Sequence, residues 1–238
     1  MERRITKELL KDFEKSMLED EKSKATVEKY LRDLRYFADF LSGRLIEKAL
    51  ILEYKAELSN TYALTSANSM LAALNAFLRF TGWLDCCVKQ FKIQKQAFCS
   101  EEKELSKAEY LSLVRAAEKK KNERLSLLIQ TLCGTGIRVS EVAYITVEAV
   151  HRGEAVVSSK GKMRRVFIVS TLRKKLLQYT KDHGIKSGMI FITKNSKAMN
   201  RSNIWSEMKK LCKEASVSPN KVFPHNLRHL FARTFYGI

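Results

Sequence analysis

The sequence of 238 residues lacks the features of exported and membrane-spanning proteins. Its first residues, Met1-Glu2-Arg3-Arg4, carry no apolar signal core, and no hydrophobic run approaches the length that crosses a bilayer. The cysteines are odd in number and form no CxxC pair, which indicates reduced intracellular thiols: Cys86, Cys87, Cys99, Cys133 and Cys212. These absences argue against a membrane protein or a disulfide-stabilised secreted domain and predict a cytoplasmic protein.

Acidic residues are few relative to basic ones, because 26 Asp or Glu stand against 44 Lys or Arg and give a net charge of +18. Residues 1–99 hold 17 basic and 14 acidic residues, net +3, whereas residues 100–238 hold 27 and 12, net +15. So large an excess indicates a polyanionic partner, with nucleic acid ahead of an anionic membrane surface. A single run such as Lys119-Lys120-Lys121 is better explained as solvated surface.

The periodicity of apolar residues predicts two domains. Four segments of residues 1–85 have apolar residues at helical spacing, which predicts a compact helical bundle. Periodicity fades over residues 86–105, which we interpret as a linker although it lacks the usual richness in Pro, Gly and Ser. The second domain, residues 106–238, opens with a capping box of Ser106 and Glu109.

Local signals add detail to both domains. Thr26 is predicted to cap the clearest helix of the first domain, and Ser202 is predicted to cap a late helix of the second. Two β-prone runs, from Glu154 to Ser159 and from Arg164 to Val169, predict a hairpin, and residues 189–192 predict a short extra strand. The sequence therefore predicts a mainly α protein with a small β-sheet.

The most site-like stretch lies near the end of the chain. His225, Arg228 and His229 are spaced i, i+3 and i+4, so they share one face of a predicted helix. Pro224 presets the first helical turn and brings these side chains near a helix N-terminus, where an anion such as phosphate is favoured. Zinc hydrolysis is an alternative, but it needs a glutamate where Asn226 stands. A pair of core histidines bonded to backbone groups also fits the spacing.

Two further cations occur at turns. The run from Gly134 to Glu141 contains two glycines that permit a tight turn and a Ser-Glu pair that can open a helix, so Arg138 lies where a turn meets a helix start. Lys160 lies at the mouth of the predicted hairpin turn. These positions suit side chains that project toward a bound anion.

With these residues in this order, the chain resembles the tyrosine recombinases, the phage-integrase family. Three motifs carry the resemblance: Thr135-Gly136-Ile137-Arg138-Val139-Ser140-Glu141, Ser159-Lys160-Gly161-Lys162 and His225-Asn226-Leu227-Arg228-His229. It implies a helical, SAM-like core-binding domain and an α+β catalytic domain, arranged as a C-shaped clamp on DNA. It also implies site-specific DNA recombination or integration by transesterification through a 3′-phosphotyrosyl intermediate.

The resemblance assigns roles that agree with the chemistry of the side chains. Charge builds up on two nonbridging phosphate oxygens during transesterification, and the guanidinium forks of Arg138 and Arg228 would neutralise it. Lys160 is predicted to be the general acid for the departing 5′ oxygen, with Lys162 as its rival. No metal and no cofactor is implied.

The remaining roles follow from the resemblance. His225 and His229 would bind the same phosphate and help to move the proton of the nucleophile. Glu141 would support the site, and a role as a helix N-terminal acid or salt-bridge partner is equally consistent. Further contacts to DNA are predicted for Lys162, Arg164, Arg165 and Arg201. The implied partners are double-stranded DNA and other recombinase protomers, which form tetramers in the family.

The nucleophilic tyrosine of the family has no clear counterpart here. Tyr236 is the only tyrosine after the second arginine motif, and we predict that it packs inward with Phe231 and Phe235 rather than attacking phosphorus. The chain is therefore predicted to stop before the last segment of the family and to be unable to cleave DNA alone, which also puts its assembly in doubt. Two other functions stay open, a non-cleaving DNA-binding or regulatory module derived from a recombinase and a relative of type IB topoisomerases.

Overall fold

Two compact units make up the chain, Met1–Gln96 and Ala97–Ile238. The computed structural model describes residues 2–94, 103–159, 161–193, 195 and 197–237, with the backbone alone for Ser159 and Tyr236. Each unit has a hydrophobic core of its own.

The first unit is a bundle of four helices: α1 (Lys7–Glu19), α2 (Lys24–Leu41), α3 (Lys48–Thr61) and α4 (Leu64–Phe80), followed by a 3₁₀ turn at Leu84–Cys86. Each helix turns its apolar face inward, and the rings of Phe37 and Phe77 are fully buried between them. Burial of one such ring contributes about 1.5–3 kcal/mol. The cap of α2 is Ser23, whose hydroxyl accepts from the backbone N–H of Thr26, so the prediction of Thr26 as the cap was wrong.

The chain after α4 stays packed on the first unit as far as it is described. Asn75 exchanges two hydrogen bonds with the backbone of Val88, at 2.8 and 2.9 Å, and Asn68 does the same with Phe91, at 2.9 and 2.7 Å. Val88 is buried. The first part of the expected linker, residues 86–94, thus contributes to this unit, and residues 95–102 lie outside the described residues.

The second unit is built around a buried helix. Its elements are α5 (Lys107–Lys119), α6 (Glu123–Thr135), a 3₁₀ turn (Val139–Tyr144), α7 (Val147–Arg152), β1 (Glu154–Ser159), β2 (Lys162–Phe167), α8 (Ser170–Asp182), α9 (Arg201–Lys209), α10 (Cys212–Ala215) and α11 (Pro224–Tyr236). Because α6 is apolar nearly all round, it lies in the middle of the unit, and Leu128, Ile129 and Leu132 are fully buried.

The two strands form one antiparallel hairpin in which Glu154 pairs with Phe167 and Ser159 pairs with Lys162. The second strand therefore begins and ends two residues earlier than predicted. The extra strand expected at residues 189–192 forms only isolated bridges, from Met189 to Thr146 and from Ile192 to Ala198.

Asn200, not Ser202, caps α9, because its side chain accepts from the backbone N–H of Asn203 at 2.8 Å. This helix ends at Lys209, and a separate short helix, α10, follows at Cys212–Ala215. Within the residues that the structure describes, no helix is long and apolar enough to span a membrane.

Candidate functional site

The candidate site is assembled where the turn after α6 meets the first turns of α11. Gly136 ends α6 in the left-handed conformation, with φ at +60°, which glycine adopts without the cost of a β carbon. The ring of Phe231 packs over it so closely that a β carbon at residue 136 would lie 2.3 Å from a ring atom. Arg228 donates through Nη1 to the carbonyl of Gly136. These contacts hold α11 against the turn that leads to Arg138.

Arg138 is fixed by a buried carboxylate. Its backbone N–H donates to Oε2 of Glu141 at 2.8 Å, and its Nη1 donates to Oε1 at 2.9 Å. Arg164 on β2 also donates to Oε2 of Glu141. The side chain of Glu141 is 2% exposed and that of Arg138 is 54% exposed. Two guanidiniums thus share one buried carboxylate, while Arg138 keeps half of its surface open.

The charges of this cluster act on one another. Burial opposes ionisation of Glu141, but the backbone N–H and guanidinium of Arg138 and the charge of Arg164 outweigh it and lower the pKa of Glu141. Burial and the charges of Arg138 and Arg164 lower the pKa of Arg228, which stays protonated because its ordinary value is so high. Three positive charges and one negative charge therefore leave the cluster cationic.

The two histidines lie beside this cluster on the first turns of α11. The ring centroids of His225 and His229 are 4.5 Å apart and the rings are nearly perpendicular, at 85°. Both residues are exposed, which contradicts the alternative of a core histidine pair. Partial burial, together with the charges of His229, Arg228, Arg201 and Arg138, lowers the pKa of His225. Near neutral pH its imidazole is therefore neutral and able to accept a proton.

A cavity of about 490 Å³ opens beside the cations. Arg138, Arg201, Trp205, His225 and Arg228 contribute to its lining. Arg201 is the first residue of α9, and Trp205 lies one turn further along the same face. The Trp205 side chain is half exposed, at 49%. The cavity thus combines several positive charges with one flat aromatic surface.

The helix that carries the histidines is fastened to the start of the second unit. Asn226, which is buried, donates to the carbonyl oxygens of Lys103 at 2.7 Å and Lys221 at 2.8 Å. Arg233 donates to the carbonyl oxygen of Leu105 at 2.8 Å. Asn226, which stands where a zinc hydrolase of this motif has its glutamate, is therefore a structural residue.

The other predicted site residues occupy different positions. Arg165 is 72% exposed and lies 3.9 Å from a carboxylate oxygen of Glu154, and Lys162 is exposed at the start of β2. Lys160 lies outside the described residues, and so does the side chain of Tyr236. Among the residues that the structure describes, no three His, Cys, Asp or Glu side chains are grouped to hold a metal ion.

Two family models match the chain in the order of its two units. The model described as "Phage integrase, N-terminal SAM-like domain" matches residues 10–83. The model described as "Phage integrase family" matches residues 103–237, more than half of the chain. This chain belongs to the phage integrase family. The longer match includes Arg138, Glu141 and all of the cluster on α11.

Sequence similarity to curated proteins extends over nearly the whole of this phage integrase family member. Tyrosine recombinase XerA from Pyrococcus furiosus is 27% identical over 242 residues, covering 97% of this chain and 81% of the relative. Tyrosine recombinase XerA from Pyrococcus horikoshii is 29% identical over 236 residues, covering 96% of this chain and 79% of the relative. The sequence-based resemblance to tyrosine recombinases is therefore confirmed.

Solved structures share the fold. A lambda integrase tetramer bound to a Holliday junction matches with a TM-score of 0.77 at 17% identity, covering 96% of this chain and 72% of that one. XerH site-specific recombinase bound to difH substrate matches with a TM-score of 0.70 at 17% identity, covering 89% and 68%. A helical SAM-like unit followed by a mainly α catalytic unit with a small sheet, as predicted, is confirmed.

Sequence reasoning missed one contributor to the site of this integrase family member and the contact made by another. Trp205 lines the cavity, and its spacing of four residues from Arg201 was the signal that could have found it. Arg164, for which a DNA contact is predicted, has its guanidinium bound to the buried Glu141, a contact that the sequence did not indicate. Guanidiniums arranged in this way can neutralise an anion without a metal ion.

Proposed function

We propose that this member of the phage integrase family acts in site-specific DNA recombination or integration, by transesterification of a DNA phosphodiester through a 3′-phosphotyrosyl intermediate. One observation carries the proposal. Arg228 binds the carbonyl of Gly136 in the turn that leads to Arg138, both arginines line one cavity with His225, and His229 lies next to His225. The relatives are named tyrosine recombinases, and a lambda integrase of the same fold is bound to DNA, which supports DNA as the substrate.

In this proposal the scissile phosphate binds between the two arginines. Guanidinium is planar and presents paired donors, so it can bind two nonbridging oxygens and stabilise their charge in the transition state. Arg138 has half of its side-chain surface available for this contact. Arg228 is oriented by its bond to the carbonyl of Gly136.

Two protons move in the proposed reaction, one from the attacking tyrosine oxygen and one to the leaving 5′ oxygen. As the O–P bond to tyrosine forms, the tyrosine proton passes to a base, and His225 suits this role because its lowered pKa keeps it neutral. As the bond from phosphorus to the 5′ oxygen breaks, that oxygen takes a proton from Lys160, with Lys162 as the second candidate.

We assign no part in the attack to Tyr236. It lies eight residues after Arg228 on α11, which corresponds to about 12 Å along the helix axis. The other tyrosines precede the second arginine motif in the sequence. We therefore expect the polypeptide of residues 1–238 to bind its DNA site without becoming covalently attached to it.

We also propose that other protomers are partners on DNA. The lambda integrase that shares this fold is a tetramer on its Holliday junction, which supports the proposal. Binding is expected to weaken steeply with salt, because Lys and Arg side chains that contact phosphates release condensed counterions.

A selection experiment tests the proposed function. A duplex enriched by this protein from a random-sequence library is synthesised with a neutral methylphosphonate at each phosphate in turn. One position is expected to lower the affinity of the wild-type protein but not of Arg138→Ala or Arg228→Ala. If both variants respond to every methylphosphonate as the wild type does, the proposed phosphate site is wrong.

A suicide substrate of the same sequence, nicked beside that phosphate, tests the expectation about cleavage. No adduct is expected on a denaturing gel. An adduct would overturn our exclusion of the chain's own tyrosines, and its loss in Tyr236→Phe would identify Tyr236 as the nucleophile.

A further inference from the structure

The Glu141 carboxylate is engaged from two directions. Its Oε1 accepts from the Arg138 guanidinium, and its Oε2 accepts from both the Arg138 backbone N–H and the Arg164 guanidinium. Since the side chain is 2% exposed, solvent contributes little to its stabilisation. Within the part of the chain that the structure describes, the hydrogen-bond donors to this carboxylate come from the two arginines.

Arg164 reaches Glu141 because of the direction in which β2 presents its residues. Side chains alternate between the faces of a strand, and Arg164 shares the inner face with the buried Val166. Arg165, its neighbour, points the other way and is 72% exposed. The two arginines carry the same charge on the same strand, but only Arg164 contacts the site.

Sharing the carboxylate changes what Arg138 can do. A lone arginine facing a buried carboxylate frequently forms a bidentate pair, which occupies two of its guanidinium nitrogens. Because Oε2 accepts from Arg164 and from the Arg138 backbone N–H, the Arg138 guanidinium is held at Oε1 through a single nitrogen, Nη1. The rest of its fork remains available to an incoming anion.

We propose that Arg164 is a positioning residue for the phosphate site: it holds Glu141 so that Arg138 keeps its orientation and a free edge for the scissile phosphate. Arg164 acts through Glu141 and does not itself touch the phosphate. The inference rests on the proposed function, because it assumes that Arg138 binds phosphate.

A double-mutant cycle tests the inference with the duplex enriched in the selection. Arg164→Ala is expected to weaken binding about tenfold, a coupling within the range for residues in one ion-pair network. In the Glu141→Gln background the same substitution is expected to change affinity less than about twofold, because the route through the carboxylate is already lost. An equal loss in both backgrounds would show direct DNA contact and overturn the inference.

Arg165→Ala is the matched control, since it removes the same charge from the adjacent position. Its effect on affinity is expected to be the same in both backgrounds. Arg164→Lys, which restores the charge and one donor, is expected to recover part of the affinity. This recovery would show that the loss in Arg164→Ala is not caused by misfolding. Full affinity in Arg164→Ala, at a thermal midpoint equal to that of the wild type, also overturns the inference.

The methylphosphonate series separates this inference from the proposed function. Arg164→Ala is expected to lose the response to the critical methylphosphonate, as Arg138→Ala does. If Arg138→Ala and Arg228→Ala keep the wild-type response, the proposed function fails. If they lose it and Arg164→Ala keeps it, only the role of Arg164 is wrong.

Discussion

The ring of Phe231 fills the space that a β carbon at residue 136 would need, because that carbon would lie 2.3 Å from a ring atom. The same glycine has φ at +60° and its carbonyl accepts from Arg228. The turn before Arg138 and the helix that carries Arg228 are therefore joined at one residue that has no side chain.

Gly136→Ala should strongly destabilise the second unit. The left-handed conformation costs alanine about 1–2 kcal/mol, and overlap with the ring adds about 1–3 kcal/mol. Urea unfolding would measure the loss. Gly184→Ala is the control, because Gly184 also has positive φ, at +64°, but has open space around it. Equal losses in the two variants would mean that the contact with Phe231 is unimportant.

Acidification should destabilise the protein through His225. Its pKa is lowered on folding from the ordinary value of 6.5, so the unfolded chain binds this proton more readily. The contribution to stability is complete above that ordinary value and is lost as the pH falls through the lowered pKa. Denaturant unfolding of wild type and His225→Gln at pH 7.5 and pH 5 would show a smaller loss in the variant. An identical loss would contradict the lowered pKa.

Trp205 should report on occupation of the cavity. The chain has two tryptophans, and Trp83 packs in the first unit against Phe77, with ring centroids 6.0 Å apart. In Trp83→Phe, the remaining fluorescence comes from Trp205 and is expected to change when DNA fills the cavity. In Trp205→Phe, the signal of Trp83 should not follow the same titration. A constant Trp205 signal at saturating DNA would place the ligand elsewhere.

Asn226→Ala should destabilise the second unit by about 1–3 kcal/mol, because the carbonyl oxygens of Lys103 and Lys221 lose a buried donor. Urea unfolding checks this value. Gln178→Ala removes an amide that is exposed and bonds only to Asp182 in the described structure, and it should change stability by less than about 0.5 kcal/mol. Similar small effects in both would mean that the anchor of α11 lies elsewhere.

The helical bundle and the cluster on α11 could be predicted because their signals are local. Apolar stripes at helical spacing predicted the four helices of the first unit, and the i, i+3, i+4 spacing predicted that His225, Arg228 and His229 share a face. The order of the arginine and hairpin motifs then indicated the family, which the family models confirm.

Contacts between distant parts of the sequence could not be predicted in this way. On β2 the polarity pattern misleads, because Met163 and Phe167 are 73% and 70% exposed while Arg164 faces inward. A prediction based on hydrophobic alternation would turn Arg164 toward solvent. The contact between Gly136 and Phe231 could not be predicted from neighbouring residues either, because it depends on how α11 packs.

The hydrogen bonds between α11 and residues 103–105 also determine how late in synthesis the second unit can be completed. Asn226 and Lys103 are 123 positions apart, and Arg228 and Gly136 are 92 positions apart. Because a chain leaves the ribosome from its N-terminus, the first unit can fold long before these partners meet. A nascent chain whose α11 is still inside the ribosome already has Arg138 and Glu141 but lacks Arg228, so the cation cluster is completed only after α11 has emerged.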